Sequence, residues 1–141
     1  MLSAVLLDSD ESASDFAHTK KQLESVFSLN DTSVAHRRAF YRVARMVVQR
    51  AATLSAAYCC QIIRHIRADT GRRVTIAIDG SVFEHVPNFR DMQMQTVRNI
   101  FGDELAKNVN ITLSKDGSGK GAAVIAALAA AHSQSSSAPR L

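Results

Sequence analysis

A chain of 141 residues is long enough for one domain that buries about two-thirds of the surface its unfolded form exposes. Two adjacent cysteines exclude a disulfide framework and point to a reducing compartment, and no apolar stretch nears the ~20 residues that a membrane-spanning helix needs. Much of the +4 formal charge lies in Arg37, Arg38, Arg42, Arg45 and Arg50; with no Trp, few aromatic residues and no recognisable nucleic-acid motif, this reads as a solvated helix face and not a nucleic-acid groove.

The N-terminal Met1-Leu-Ser-Ala-Val-Leu-Leu7 is too short for a signal sequence and is closed by Asp8, Asp10 and Glu11. Over 14–28, Phe16, Leu23, Val26 and Phe27 fall at helical spacing with Asp15, Lys20 and Lys21 between them, predicting an amphipathic helix that Leu29-Asn-Asp31 breaks. From Asp31 or Thr32, either of them an N-cap, there is no Gly or Pro until Gly71, which predicts one long helix ending at Asp69-Thr-Gly71. Within it Phe40, Ala44, Val47 or Val48, Ala51, Leu54, Tyr58, Ile62 and Ile66 recur every three or four residues and form the expected buried stripe. The small residues Ala51, Ala52, Ser55, Ala56 and Ala57 would let this helix lie close across a sheet. Cys59 and Cys60 project about 100° apart on it and are not expected to pair.

The second half predicts a strand over Val74–Ile78, a turn over 79–86, a helix from about 88 to 101, a strand over Val109–Leu113 and a helix over 118–131, a βαβα order. The Ser-rich residues 132–141 read as a frayed tail. The last three, Pro139-Arg-Leu141, are a degenerate form of a peroxisomal Ser-Lys-Leu address.

Both strands run into polar, glycine-bearing turns that lead to helices, and ligands of open α/β sheets collect at such strand ends. In the first turn Gly80 would let the backbone come close to a ligand, and Ser81 offers a hydroxyl and an N–H to a phosphate oxygen. A plain Asp-Gly turn, with Asp79 bonded inside its own loop, is the competing reading. The second turn, Asp116-Gly-Ser-Gly-Lys-Gly121, departs from a P-loop twice, with Ser114 at the first glycine position and Gly121 where Ser or Thr must reach Mg²⁺. What remains is a glycine turn feeding a helix N-terminus, a setting for an anion or a ribose hydroxyl. His18, His36, His65 and His132 lack partners at metal-ligand spacing, and no Gly-x-Ser-x-Gly elbow occurs. Met92 and Met94 read as core filler.

The series Ile78-Asp-Gly-Ser-Val-Phe83, Pro87-Asn-Phe89 and Asp116-Gly-Ser-Gly-Lys-Gly-Ala-Ala123, preceded by Arg50-Ala-Ala-Thr-Leu-Ser-Ala-Ala57, resembles the C-terminal part of the hexokinase family's large lobe, and the resemblance covers roughly residues 1–131. The fold it implies is α/β, part of an actin-like (ribonuclease-H-like) ATPase domain with a mixed sheet and long packing helices. The activity it implies is ATP-dependent, glycolytic phosphorylation of glucose or a similar hexose at the 6-hydroxyl, with ATP and Mg²⁺ as cofactors and Mg²⁺ held through the nucleotide. It places Asp79, Gly80, Ser81, Val82, Phe83, Glu84 and His85 along one side of ATP and lets Gly117, Ser118 and Gly119 shape the pocket near the adenosine, leaving Lys120 solvated.

Two positions depart from many members: Glu84 stands where several have Lys, and His85 where they have a Leu against the base. A carboxylate beside a polyphosphate is repulsive. The family's Gly-Gly-Thr phosphate loop, its catalytic Asp with the sugar-binding residues and its middle phosphate loop are not among these residues, so the resemblance assigns no catalytic residue and no metal ligand here, and the isolated chain is expected to be inactive. The implied partners are ATP, a hexose through the missing lobe, and neighbours met through uncovered apolar surface; neither nucleic acid nor a membrane span is expected. The expected location is the cytoplasm, with a peroxisome-like organelle as the alternative. The alternative function is a non-catalytic nucleotide-binding or interaction fragment, a truncated gene product.

Overall fold

The computed structural model describes residues 1–8, 15–66 and 71–136, with the backbone alone for 130–136. A short helix, α1 (Leu2–Val5), opens the chain, where the sequence pattern marked no element. Helix α2 (Ala17–Phe27) follows; its first turn is capped from a distance, since the Asp8 carboxylate accepts from the Thr19 N–H at 2.7 Å and the Thr19 hydroxyl at 2.6 Å. Phe16, in the left-handed region at φ 56, is fully buried against Tyr41 with ring centroids 5.5 Å apart, so burial of the ring offsets an unfavourable backbone.

The predicted long helix is α3 (Val34–His65). Its N-cap is Ser33, whose hydroxyl accepts from the His36 N–H at 3.2 Å, and not Asp31 or Thr32; the Thr32 carbonyl accepts from Arg37 instead. The helix ends at His65, ahead of the expected stop, and Asp69 and Thr70 lie outside the described residues, as do Asp10, Glu11 and Pro139–Leu141.

The buried face of α3 shares Ala44 and Val48 with the predicted stripe and departs from it beyond them. Tyr41, Ala44, Val48, Ala52, Ala56, Cys60 and Ile63 point inward, while Val47, Leu54, Tyr58, Ile62 and Ile66 are exposed. The helix carries apolar residues on two sides, and the side with Ala52 and Ala56 admits the closest approach of a partner. That partner is α5 (Phe89–Ala106), joined to α3 by a half-buried polar contact in which Gln93 Nε2 donates to Ser55 Oγ at 2.8 Å. The α5 run is interrupted at Gly102 (φ 78, ψ 166), one residue beyond the predicted end.

Strands β1 (Val74–Ile78) and β2 (Val109–Leu113) coincide with their predicted spans and pair in parallel, Val74 opposite Val109 and Ile78 opposite Leu113. The sheet expected to be mixed consists, among the described residues, of these two parallel strands. One face is apolar: Ile111 and Val109, with Val74, Ile76 and Ile78, pack on Ala56, Cys60, Ile63 and Val97 in the central core. Arg90 of α5 ties the helix to the strand by donating from Nε to the Ile111 carbonyl at 2.8 Å. The connection between the strands contains α4 (Ser81–His85), a single helical turn where a plain turn was expected, as well as α5. The last helix, α6 (Gly117–Ser136), continues past Ala131 into the segment expected to fray, and its apolar side chains Val124, Ile125 and Leu128 are exposed. No helix among the described residues is long and apolar enough to cross a membrane.

Candidate functional site

Parallel pairing in register brings both strands to an end at the same edge of the sheet, so the turn that follows Ile78 and the turn that follows Leu113 lie side by side. Two bonds close to the strands hold them there. The Ser114 N–H donates to the Ile78 carbonyl at 2.8 Å, and the Gly117 N–H donates to Asp79 Oδ2 at 2.9 Å. Asp79 thus bonds across to the second turn and not within its own loop, the arrangement a plain Asp-Gly turn would have. Its carboxylate also occupies one of the free N–H groups at the start of α6, where a negative charge is favoured.

Gly80, the N-cap of α4, has φ 153 and ψ 144, and a Cβ built there would meet nothing within 4 Å. Its backbone is open to whatever approaches. Ser81 and Val82 are exposed beside it, and with His85 they also border an apolar groove of about 360 Å³ formed with Val47, Val48 and Phe89. Phe83 turns the other way, into the core beneath α4, with its ring edge-on to Phe89 at 6.4 Å. It anchors the turn instead of lining it. In the second turn a Cβ on Gly119 would overlap the Asp116 carboxylate, whereas one on Gly117 would make ordinary contacts with Asp79 and Ser114 at 3.5 Å. Asp116 itself sits at φ 57.

Glu84, read from the sequence as a charge that would repel a polyphosphate, has a partner. Lys115 Nζ lies 2.7 Å from Glu84 Oε1, and His85 Nε2 lies 3.8 Å from Glu84 Oε2. The hydrogen bond and charge of Lys115 hold the Glu84 carboxyl below the usual carboxylate range, and the same contact raises the Lys115 ammonium above its ordinary value. A lowered carboxyl loses its charge only below its usual titration range and a raised ammonium only above its own, so both ions persist through neutral pH. Lys120, expected to be solvated, is exposed, and its Nζ donates to the Lys115 carbonyl at 2.9 Å. Lys115 is the residue that sequence reasoning passed over. It stands in an irregular turn where no periodicity marks it, and the only available signal was its charge, opposite to that of Glu84, just beyond the paired strand ends.

A hollow of about 680 Å³ along α3, at Arg45, Met46, Arg50 and Leu54, shares no residue with either turn. No group of three or more potential metal ligands occurs among the described residues.

The profile of the hexokinase family matches residues 1–128. The chain belongs to the hexokinase family. It is 39% identical to Hexokinase-1 of Oryza sativa subsp. japonica over 125 residues, which cover 85% of this chain and 24% of that protein. Hexokinase-7 of the same plant is 38% identical over 123 residues (85% of this chain, 26% of the relative), and Hexokinase-1 of Spinacia oleracea is 33% identical over 129 residues (88% and 25%). The chain spans about a quarter of the length of these hexokinases. The resemblance read from the Asp79–Phe83 turn, Pro87-Asn-Phe89 and the glycine turn therefore holds at the level of the hexokinase family, and the geometry adds that its two glycine-bearing turns are bonded to each other.

Proposed function

We propose that this chain forms part of the nucleotide-binding side of an ATP-dependent hexose kinase with an actin-like fold, acting on the 6-hydroxyl of glucose or a similar hexose. The observation that carries the reading is the Asp79–Gly117 bond, which joins two turns at the carboxyl ends of parallel strands, where ligands of α/β sheets bind. The residues present suit a nucleotide. Gly80 leaves its backbone uncovered, Ser81 presents an exposed hydroxyl, and Lys115 offsets the charge of Glu84 that would otherwise repel a polyphosphate.

In this reading Ser81 donates its hydroxyl to a phosphate oxygen, Gly80 lets the backbone approach, and Val82 and His85 lie along the nucleoside. Asp79 holds Gly117, Ser118 and Gly119 in place at the adenosine end. When bound, Mg-ATP supplies the transferable phosphoryl group and the metal that neutralises its charge. The carboxylate that accepts the sugar proton, and the sugar pocket itself, belong to parts of a hexokinase outside these residues. Phosphoryl transfer is mainly positioning and electrostatics, and one side of that positioning is what this segment contributes.

Mg-ATP titrated into the ¹⁵N-labelled chain should move the amide signals of residues 80–85 and 117–119, while glucose alone should move none of them. A hydrogen bond to a charged phosphate is worth roughly 1.5–3 kcal/mol, so Ser81→Ala should weaken binding by about ten- to a hundredfold. Ser81→Asp, which sets a carboxylate beside the phosphates, should weaken it further. Unchanged affinity in a folded Ser81→Asp variant would remove the nucleotide from this turn.

A further inference from the structure

The Glu84–Lys115 ion pair joins the same two turns as the Asp79–Gly117 bond, from a point further along the first of them. The bonds at the strand ends fix the start of the first turn and Phe83 seats α4 on the core, but neither joins the far end of α4 to the second turn. The Glu84–Lys115 pair supplies that tie. The Lys115 end is itself held, since its carbonyl accepts from Lys120 on the first turn of α6. The glycine turn, α4 and α6 are thereby linked through Glu84, Lys115 and Lys120, in addition to the inner bond.

We infer that Glu84 and Lys115 are a positioning clasp that sets the separation of the two turns, and so the shape of the nucleotide site between them; the inference rests on the nucleotide reading given above. The contending role for Lys115 is direct contact with a phosphate, since its side chain is 72% exposed. The two roles predict opposite signs. In a clasp, removing either charge loosens the site, and exchanging the charges restores it. In direct contact, neutralising Glu84 frees the ammonium and tightens binding.

The test uses the whole chain at pH 7 and low salt, with Glu84→Gln, Lys115→Gln and the exchanged pair Glu84→Lys with Lys115→Glu. Two quantities are read: the hydrogen-exchange rate of the Gly117 amide, which is bonded to Asp79 and needs no ligand to report on the gap, and the dissociation constant for Mg-ATP. The clasp predicts faster Gly117 exchange and roughly two- to fivefold weaker Mg-ATP binding in each single variant, the range typical of an exposed ion pair, with both recovered in the exchanged pair. Unchanged Gly117 exchange in both single variants overturns the clasp whether or not nucleotide binds. Tighter Mg-ATP binding in Glu84→Gln with weaker binding in Lys115→Gln overturns it in favour of a phosphate contact. If the wild-type chain does not bind Mg-ATP while Gly117 exchange follows the pair as described, the clasp stands and the nucleotide reading falls.

Discussion

Gly102 stands at φ 78 and ψ 166, a region of backbone space that is essentially closed to residues with a Cβ, and a Cβ built there would meet no other atom. The cost of filling this position is therefore one of backbone strain alone. Gly102→Ala should destabilise the chain by roughly 1–3 kcal/mol, which at about 3–5 °C per kcal/mol is a clear loss in the thermal midpoint. A midpoint within a degree of wild type would show that the break between Phe101 and Asp103 relaxes freely. Gly119 presents a different case, one of space and not of strain. There the Asp116 carboxylate lies where a methyl group would stand, and this exposed side chain would have to turn aside to admit one. Gly80, by contrast, has an open backbone beside an exposed serine.

At the scale of elements, α3 is decided by its small residues. Ala52 and Ala56 are fully buried, and with Val48, Cys60 and Ile63 they form the face that α5 and the strands cover. Close packing leaves no space for a longer side chain where two helices meet on alanine. Ala56→Leu should cost about 1–3 kcal/mol by overpacking, lowering the midpoint of thermal or denaturant unfolding. Leu54→Ala, two residues away on the exposed face, should leave it nearly unchanged. Equal effects at the two positions would show that the face of α3 had been assigned to the wrong side. The same packing raises the ordinary pKa of the Cys59 and Cys60 thiols by burial, which keeps both protonated at neutral pH.

The whole molecule leaves a large share of its apolar side chains uncovered. Met46, Leu54, Tyr58 and Ile62 on α3 and Val124, Ile125 and Leu128 on α6 are all at least half exposed. Scattered exposed apolar residues are ordinary, but helical rows of them are the mark of contact surfaces. The isolated chain should therefore associate as its concentration rises, visible as an increase in mass by light scattering or sedimentation. Replacing Leu54 and Ile62 together by Ser should reduce that association without lowering the unfolding midpoint, since neither side chain is part of the core. A chain that stays monomeric at all concentrations would show that these rows do not drive contact between copies.

Local chemistry determined much of this protein before any tertiary contact was considered. β-branched residues bounded by turns placed β1 and β2 to the residue, because a short apolar run between breakers has few other conformations open to it. The long span without Gly or Pro predicted α3, and the turn motifs pointed to the hexokinase family, since both are written in contiguous residues. What tertiary structure alone decided was every choice between local equivalents. Three hydroxyl or carboxylate residues could cap α3, and Ser33 did so while Thr32 bonded Arg37. Two apolar faces could be buried, and the one with alanines at the contact won because backbones could come closer there. Asp79 could bond inside its loop or across the gap, and Glu84 could stand bare or be paired; each found its partner only because parallel pairing in register sets residues far apart in the chain side by side. Periodicity along a chain carries no record of which distant charge will stand opposite, and this is why the ties between the two turns had to be read from the fold.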